Sequence, residues 1–177
     1  MTKLKKLDVY CKEALQRGAA DAIVVSSSKV VTAAWVRLRC QFGCSEYGQC
    51  LTCPPHSPTP ETTRRVLDEY RSAILLHGVD WGSLREIARE LERKIFLDGY
   101  YKAFSLACGP CWMCKDCALG HLKQGKPAAC RHPDLARPSM EAAGIDVYAT
   151  AHAAGLPIEV VRSEGCPQDY YALVLVE

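Results

Sequence analysis

The sequence predicts an α/β fold in which a mixed sheet is flanked by helices, with an α+β arrangement as the alternative. Strand-like and helix-like segments alternate through the middle of the chain, and no segment repeats at the length of a solenoid unit. A chain of 177 residues suits a single domain that can bury a core without help from a metal. Two cysteine-rich loops, at about 40–55 and 108–132, interrupt this frame.

Apolar residues at helical spacing, together with capping residues, predict four helices. Thr59 before Pro60, and Ser83 before Leu84, are the expected N-caps of the second and third helix. The predicted helices are Lys3–Gln16, Pro60–Tyr70, Leu84–Leu97 and Ser139–Ala154.

Short apolar runs bounded by turn residues predict the strands. These strands are Ala22–Ser27, Val30–Arg39, Ala73–Gly78, Tyr101–Ala107, Ile158–Arg162 and Tyr171–Val176. Both cysteine-rich loops therefore follow predicted strands, which is where chemistry is often placed on a rigid frame.

Composition narrows the class of protein. A net charge of +2 gives no electrostatic reason to expect nucleic acid, and no apolar run is long enough to cross a bilayer. The N-terminal segment MTKLKKLDVYCKEAL lacks the apolar core of a signal peptide, which predicts a cytoplasmic location. Thiols stay reduced in the cytoplasm, so the eleven cysteines indicate metal binding more than disulfides.

The stretch CGPCWMCKDC places four cysteines at equal gaps from Cys108, and Cys130 follows further along the chain. A loop with Cys-x2-Cys-x2-Cys and one remote cysteine is typical of a 4Fe–4S cluster, whereas zinc prefers two separate Cys-x2-Cys pairs. A cluster of redox thiols without metal is the third alternative. The predicted ligands are Cys111, Cys114, Cys117 and Cys130, although a set that begins at Cys108 has the same spacing and His132 could also ligate.

Basic residues outnumber acidic ones by three around this second loop. An anionic cluster would be stabilised by such cations. The basic residues are Lys115, Lys123, Lys126, Arg131 and Arg137, and the acidic ones are Asp116 and Asp134.

The first loop carries a second candidate site, a further 4Fe–4S cluster or a zinc ion. Its predicted ligands are Cys40, Cys44, Cys53 and, provisionally, Cys50. If Cys50 does not bind, either Cys166 completes the set or one iron stays open to an external ligand and acts as a Lewis acid. Cys11 is expected to be a buried apolar residue of the first helix.

Two stretches resemble one family, the predicted metal-binding proteins of domain of unknown function 2284. They are RCQFGCSEYGQCLTCPPHSPTP and GPCWMCKDC with the later CRHPDLARPSMEAAGIDV, and the resemblance covers about Val36 to Leu156. It implies metal binding through Cys40, Cys44, Cys53, Cys111, Cys114, Cys117 and Cys130, with Cys50 and Cys108 as additions and Cys166 beyond the pattern. It also implies a role for Met140 and Glu141, for which a capping-type carboxylate is the alternative.

These patterns predict an iron–sulfur protein with an electron-transfer or redox accessory role and a redox partner protein. The alternatives are an enzyme that uses a cluster with three cysteine ligands and an open iron, and a zinc-stabilised interaction or regulatory module. Phosphate loops, nucleophile elbows and paired-histidine zinc motifs are absent from the sequence, and whether the chain is an enzyme stays open. Trp112, inside the second loop, is expected to shield the metal from water.

Overall fold

The computed structural model describes residues 6–126, 128–163 and 165–177, apart from the side chains of Leu122 and Lys123. The helices are α1 (Asp8–Gln16), α2 (Trp35–Gly43), α3 (Pro60–Asp68), α4 (Trp81–Leu97), α5 (Leu119–Lys123) and α6 (Val147–Ala153). The strands are β1 (Asp21–Ser26), β2 (Ser72–Gly78), β3 (Phe104–Leu106) and β4 (Tyr170–Leu175). Residues 3–5 of the first predicted helix lie outside the described residues.

The four strands form one sheet in the order β1-β2-β4-β3, and each neighbouring pair is antiparallel. At the centre of the sheet, Ile74 of β2 lies opposite Val24 of β1 and Val174 of β4. The predicted combination of helices with one sheet is confirmed, and the antiparallel pairing corresponds to the α+β form of that class.

The central strand β2 is buried on both faces, which explains why its sequence is a continuous apolar run. Its side chains alternate, so Ile74 and Leu76 pack with α1 and α4 on one face. Ala73 and Leu75 belong to a second apolar cluster on the other face, which includes residues of the 140–151 segment. The sheet therefore separates two halves of the core and gives both cysteine-rich loops a rigid support.

The predicted strand over Val30–Arg39 is wrong, because α2 begins at Trp35. Only Thr32 makes a strand-like bridge, to Ile145. Val36 is buried and Cys40 lines a cavity, whereas Leu38 between them is 59% exposed, a pattern that fits helical backbone because a strand would place all three on one face. The first cysteine-rich loop thus continues a helix, whereas the second follows β3 as expected.

The predicted helix over Ser139–Ala154 is helical only in its second half, because residues 140–144 form turns and α6 begins at Val147. Gly144 has φ +78°, a conformation outside the helical region, and Asp146 then caps α6 by accepting a hydrogen bond from the Ala149 amide at 2.9 Å. Ile158–Arg162 forms neither strand nor helix. The prediction of Thr59 as an N-cap is confirmed, since its hydroxyl accepts from the Thr62 amide at 3.2 Å, whereas α4 is capped by Asp80 and not by Ser83.

His77 joins three parts of the sheet region. It is buried and stacks on the Tyr171 ring at a centroid distance of 4.9 Å. Its Nδ1 lies 2.8 Å from Oδ2 of Asp21, and its Nε2 lies 2.8 Å from Oδ1 of Asp169. The contacts tie β1 and the segment before β4 to β2.

Among the described residues, no helix is both long and apolar enough to cross a membrane.

The turn at Gly144 packs closely against Pro60, so a larger residue at this position should destabilise the protein. A Cβ atom at Gly144 would lie 2.9 Å from the Pro60 Cα atom, in addition to the unfavourable positive φ. We expect Gly144→Ala to lower the free energy of unfolding by about 3 kcal/mol in urea denaturation. Gly155→Ala is the matched control, because Gly155 has φ +73° with no atom within 4 Å of the added Cβ. Equal losses in the two variants would contradict the role of the Pro60 contact.

Candidate metal centres

The second cysteine loop brings its predicted ligands to one small cavity of about 20 Å³. We call this the smaller cavity, and we call the four cysteines the second thiol group. The cysteines of this group that line the cavity are Cys111, Cys114, Cys117 and Cys130. Cys50 of the first loop lines the same cavity, and so does His132.

Backbone amides of the loop point at several of these sulfurs. The His132 N–H donates to Cys130 Sγ at 3.4 Å, and the Met113 N–H donates to the Cys111 sulfur. Burial raises the pKa of the Cys111 thiol, while the Met113 amide and the Arg85 charge lower it. Amide donors and a nearby cation stabilise thiolate, the form of cysteine that binds metal.

Arg85 of α4 holds both ends of this loop. It is only 9% exposed, and its Nη1 donates to the carbonyls of Cys108 at 3.0 Å, Gly109 at 3.2 Å and Pro110. Its Nη2 donates to the Arg137 carbonyl at 3.1 Å, at the far end of the loop. A rigid helix therefore fixes the distance between the entry and the exit of the cysteine-rich segment.

Glu92, two helical turns further along α4, makes a second set of contacts with the end of this loop. Its carboxylate accepts from Arg137 Nη2 at 2.6 Å and Nε at 2.9 Å, and from the Ser105 amide at 2.8 Å. The ion pair is largely buried and geometrically bidentate, so it is a specific anchor. Glu92 also neutralises the charge of Arg137, which the sequence analysis counted among the cations around the cluster. The side chain of Lys123, another of those cations, lies outside the described residues.

Sequence reasoning missed Arg85 and Glu92. The available signal was a pair of charged residues seven positions apart, beside the apolar stripe of an amphipathic helix. Trp112 was predicted to shield the metal, but its ring packs edge-on against Trp81 at a centroid distance of 4.0 Å and is 48% exposed.

The first cysteine loop faces a different and larger cavity of about 400 Å³. We call it the larger cavity, and we call Cys40, Cys44 and Cys53, which line it, the first thiol group. Burial raises the pKa of the Cys40 thiol, and the neighbouring Arg37 lowers it. The remaining lining comes from α2, both cysteine-rich loops, the Ser139 turn, α6 and β4, and includes Trp35, Tyr47, Tyr148, Tyr170 and Glu141.

Glu141 presents its carboxyl to the larger cavity. Its side chain is accessible through that cavity, yet protein surrounds it closely enough that desolvation raises its pKa. Hydrogen bonds from its own amide and from the Ser139 side chain act against this rise in pKa, so Glu141 also makes the capping-type contacts expected as the alternative, and Ser139 Oγ accepts from the Ala142 amide at 3.0 Å. Glu141 thus lines the larger cavity while it is held in the turn, and Met140 belongs to the apolar core.

Cys50 and Cys53 line different cavities, Cys50 the smaller one and Cys53 the larger one. Their thiols are hydrogen-bonded to each other, which lowers the pKa of Cys50 to about 5 and raises that of Cys53. The Cys50 sulfur also accepts from the Cys111 amide and lies 3.3 Å from Thr52 Oγ1. The structure thus divides the first loop, since Cys50 faces the second thiol group while the other three cysteines face the larger cavity.

Three cysteines line neither cavity. Cys108 belongs to the apolar core, donates its thiol to the Trp81 carbonyl at 3.3 Å, and has its pKa raised to about 12 by burial. Burial likewise raises the pKa of Cys11 to about 11, and Cys166 Sγ lies 3.2 Å from Ser163 Oγ. This placement supports the ligand set that begins at Cys111 over the one that begins at Cys108.

No three cysteine, histidine or acidic side chains within residues 6–126, 128–163 and 165–177 are grouped closely enough to hold a metal ion. The chemistry of the donors nevertheless fits a soft metal centre, because each thiol group presents sulfur and no competing carboxylate lines the smaller cavity. Such donors select zinc or iron–sulfur clusters.

Comparison with known proteins supports a metal site. Residues 23–176 match the family described as predicted metal-binding protein (DUF2284), so the resemblance drawn from the sequence is confirmed and extends beyond residues 36–156. No curated protein and no solved structure matches the chain.

The Arg85 contacts predict that the second loop depends on this side chain. Arg85→Met would leave buried carbonyls without donors, so we expect a loss of about 3 kcal/mol in the free energy of unfolding, measured in urea. Arg89→Met, on the same helix but paired only with the exposed Glu86, should change it by less than about 0.5 kcal/mol. Similar values for both variants would show that the loop ends do not depend on Arg85.

Proposed function

Because the chain belongs to the DUF2284 family of predicted metal-binding proteins, we propose that it is an iron–sulfur protein that carries electrons. The second thiol group would hold a 4Fe–4S cluster, which accepts and gives up one electron when it is bound. The first thiol group would hold a second centre.

One observation carries this proposal: four cysteines with ferredoxin-like spacing surround a single cavity. Amide donors to Cys111 and Cys130, with the buried Arg85 guanidinium nearby, suit the negative charge of a cluster held by four thiolates. The same four sulfurs could bind zinc, and the experiment below is chosen to separate the two metals.

The proposed electron-transfer role includes a redox partner protein and a cytoplasmic location. The exposed Lys115 and Arg131 beside the second thiol group would favour an acidic partner surface. A single domain is also part of the proposal, because both cysteine-rich loops contribute to the larger cavity.

The first test is the removal of one sulfur from the second thiol group. Anaerobically purified or reconstituted protein should contain about four irons and about four acid-labile sulfides for each cluster. Cys114→Ser should lose one cluster's worth of both, together with the EPR signal of that cluster after reduction.

Cys108→Ser is the matched control, because Cys108 lies in the same loop but donates to the Trp81 carbonyl within the apolar core. It should keep the full iron and sulfide content. Colourless wild-type protein loaded with zinc would overturn the iron–sulfur proposal, and full iron in Cys114→Ser would overturn the ligand assignment.

A second candidate function is that of an enzyme that binds its substrate in the larger cavity. The observation in its favour is that only three cysteines of the first loop line this cavity, whose volume of about 400 Å³ suits a small organic molecule. A cluster with three cysteine ligands leaves one iron open to such a molecule. Glu141 would then bind a polar group of the substrate.

This candidate makes a separate prediction for Cys50. Because Cys50 does not line the larger cavity, Cys50→Ala should retain the iron of the first thiol group, whereas Cys44→Ala should lose it. Iron and sulfide analysis of the two variants, after anaerobic reconstitution, makes the comparison. If Cys50→Ala and Cys44→Ala lost equal amounts of iron, a site with four cysteine ligands would replace the open one.

A further inference from the structure

The larger cavity is lined by an unusual number of aromatic rings. Trp35 is 49% exposed and Tyr148 is 38% exposed, whereas their chain neighbours Val36 and Val147, which also line the cavity, are buried. The cavity therefore combines accessible ring surface with buried aliphatic side chains. Its four aromatic lining residues are Trp35, Tyr47, Tyr148 and Tyr170.

These four rings have no aromatic or cationic partner within the described part of the chain. The polar ends of two of them are nevertheless occupied, because the Tyr148 hydroxyl donates to the Glu159 carbonyl and the Tyr170 hydroxyl donates to the Gln168 side chain. What the rings offer to a ligand is therefore their faces, which carry negative potential and attract cations.

Acidic side chains predominate at the same cavity. Glu46, Glu141 and Asp146 line it, whereas Arg39 is the one basic side chain among its described lining residues. Asp146 caps α6, but the Glu141 side chain is exposed to the cavity and Glu46 is partly exposed. None of these carboxylates belongs to an ion pair of the described residues. A cation in the cavity would supply the missing charge.

The first thiol group does not reverse this preference. Its cysteines are neutral as thiols and negative as thiolates, and a cluster held by thiolates is anionic as well. The part of the lining that comes from α6 and β4 contains no cysteine, so it stays accessible to a ligand whether or not a metal centre is present.

We infer that the larger cavity binds a small organic cation, an ammonium group on an apolar or aromatic body. The faces of Trp35 and Tyr148 contact the ligand, and Glu46 and Glu141 supply the opposite charge. The volume of about 400 Å³ suits a molecule of this kind. This inference deepens the second candidate function, on whose use of the larger cavity for a ligand it rests.

Three probes that share a phenyl ring and differ in charge test the inference. They are 2-phenylethylamine, which is a cation at pH 7, the neutral 2-phenylethanol, and the anion 3-phenylpropanoate. Anaerobic isothermal titration calorimetry of the full chain should give a Kd for the amine about tenfold lower than for the alcohol. The anion should bind more weakly than either.

Carboxylate and ring variants locate the binding site. Glu46→Gln and Glu141→Gln should each raise the Kd of the amine about fivefold, whereas the control Glu69→Gln, an exposed carboxylate outside the cavity, should leave it unchanged. Trp35→Leu should raise this Kd about fivefold, and Trp35→Phe, which keeps a ring, should restore most of the affinity. Glu46 and Trp35 are not buried, so the test stands even if Glu141→Gln does not fold.

Several outcomes would overturn the inference. They are equal affinity for the amine and the alcohol, tighter binding of the anion, and amine binding that is unchanged in Glu46→Gln and Trp35→Leu. Iron and sulfide analysis of the same samples keeps the proposed function separate. Iron-loaded protein that does not bind the amine would reject this inference alone, whereas protein that binds the amine but contains no iron would support it and reject the iron–sulfur proposal.

Discussion

The geometry of the second cysteine loop depends on the Arg85 guanidinium. A buried cation of this size must direct its donors to acceptors, and here they reach main-chain carbonyls at both ends of one loop. The planar fork of donors is rigid and stands on α4, which itself packs on the sheet. The cysteines between these ends therefore start from fixed positions, and their sulfurs can share one cavity without being part of a regular element.

The same arrangement brings the first loop into contact with the second. Gly109 and Pro110, held by Arg85, form part of the wall of the larger cavity, into which the first thiol group points. Glu141 reaches this cavity from a turn that is held against α3 by the close packing of Gly144 on Pro60. The second thiol group and the larger cavity thus share structural supports, and Cys50 of the first loop lines the smaller cavity beside the second thiol group.

Local sequence patterns predicted some elements correctly, whereas others depend on tertiary contacts that the local sequence does not reveal. The strands β2 and β4 and the helices α3 and α4 were predictable because their periodicity, caps and continuous apolar runs are local. The segment Val30–Arg39 was misread because its apolar residues suit either a strand or a helix, and only the tertiary structure buries Val36 while it leaves Leu38 exposed. The turn at Gly144 was missed because its tight contact with Pro60 comes from a distant part of the chain.

The sequence by itself determined that sulfur chemistry is concentrated in two loops, because the spacing of Cys111, Cys114 and Cys117 is a property of the local chain. It could not assign Cys50 or Cys108, which share the spacing of neighbouring candidates. Only the tertiary structure decided that Cys108 enters the apolar core and that Cys50 faces the opposite loop. The physical reason is that burial and hydrogen-bond partners depend on residues far apart in sequence, here Trp81 for Cys108 and Cys111 for Cys50.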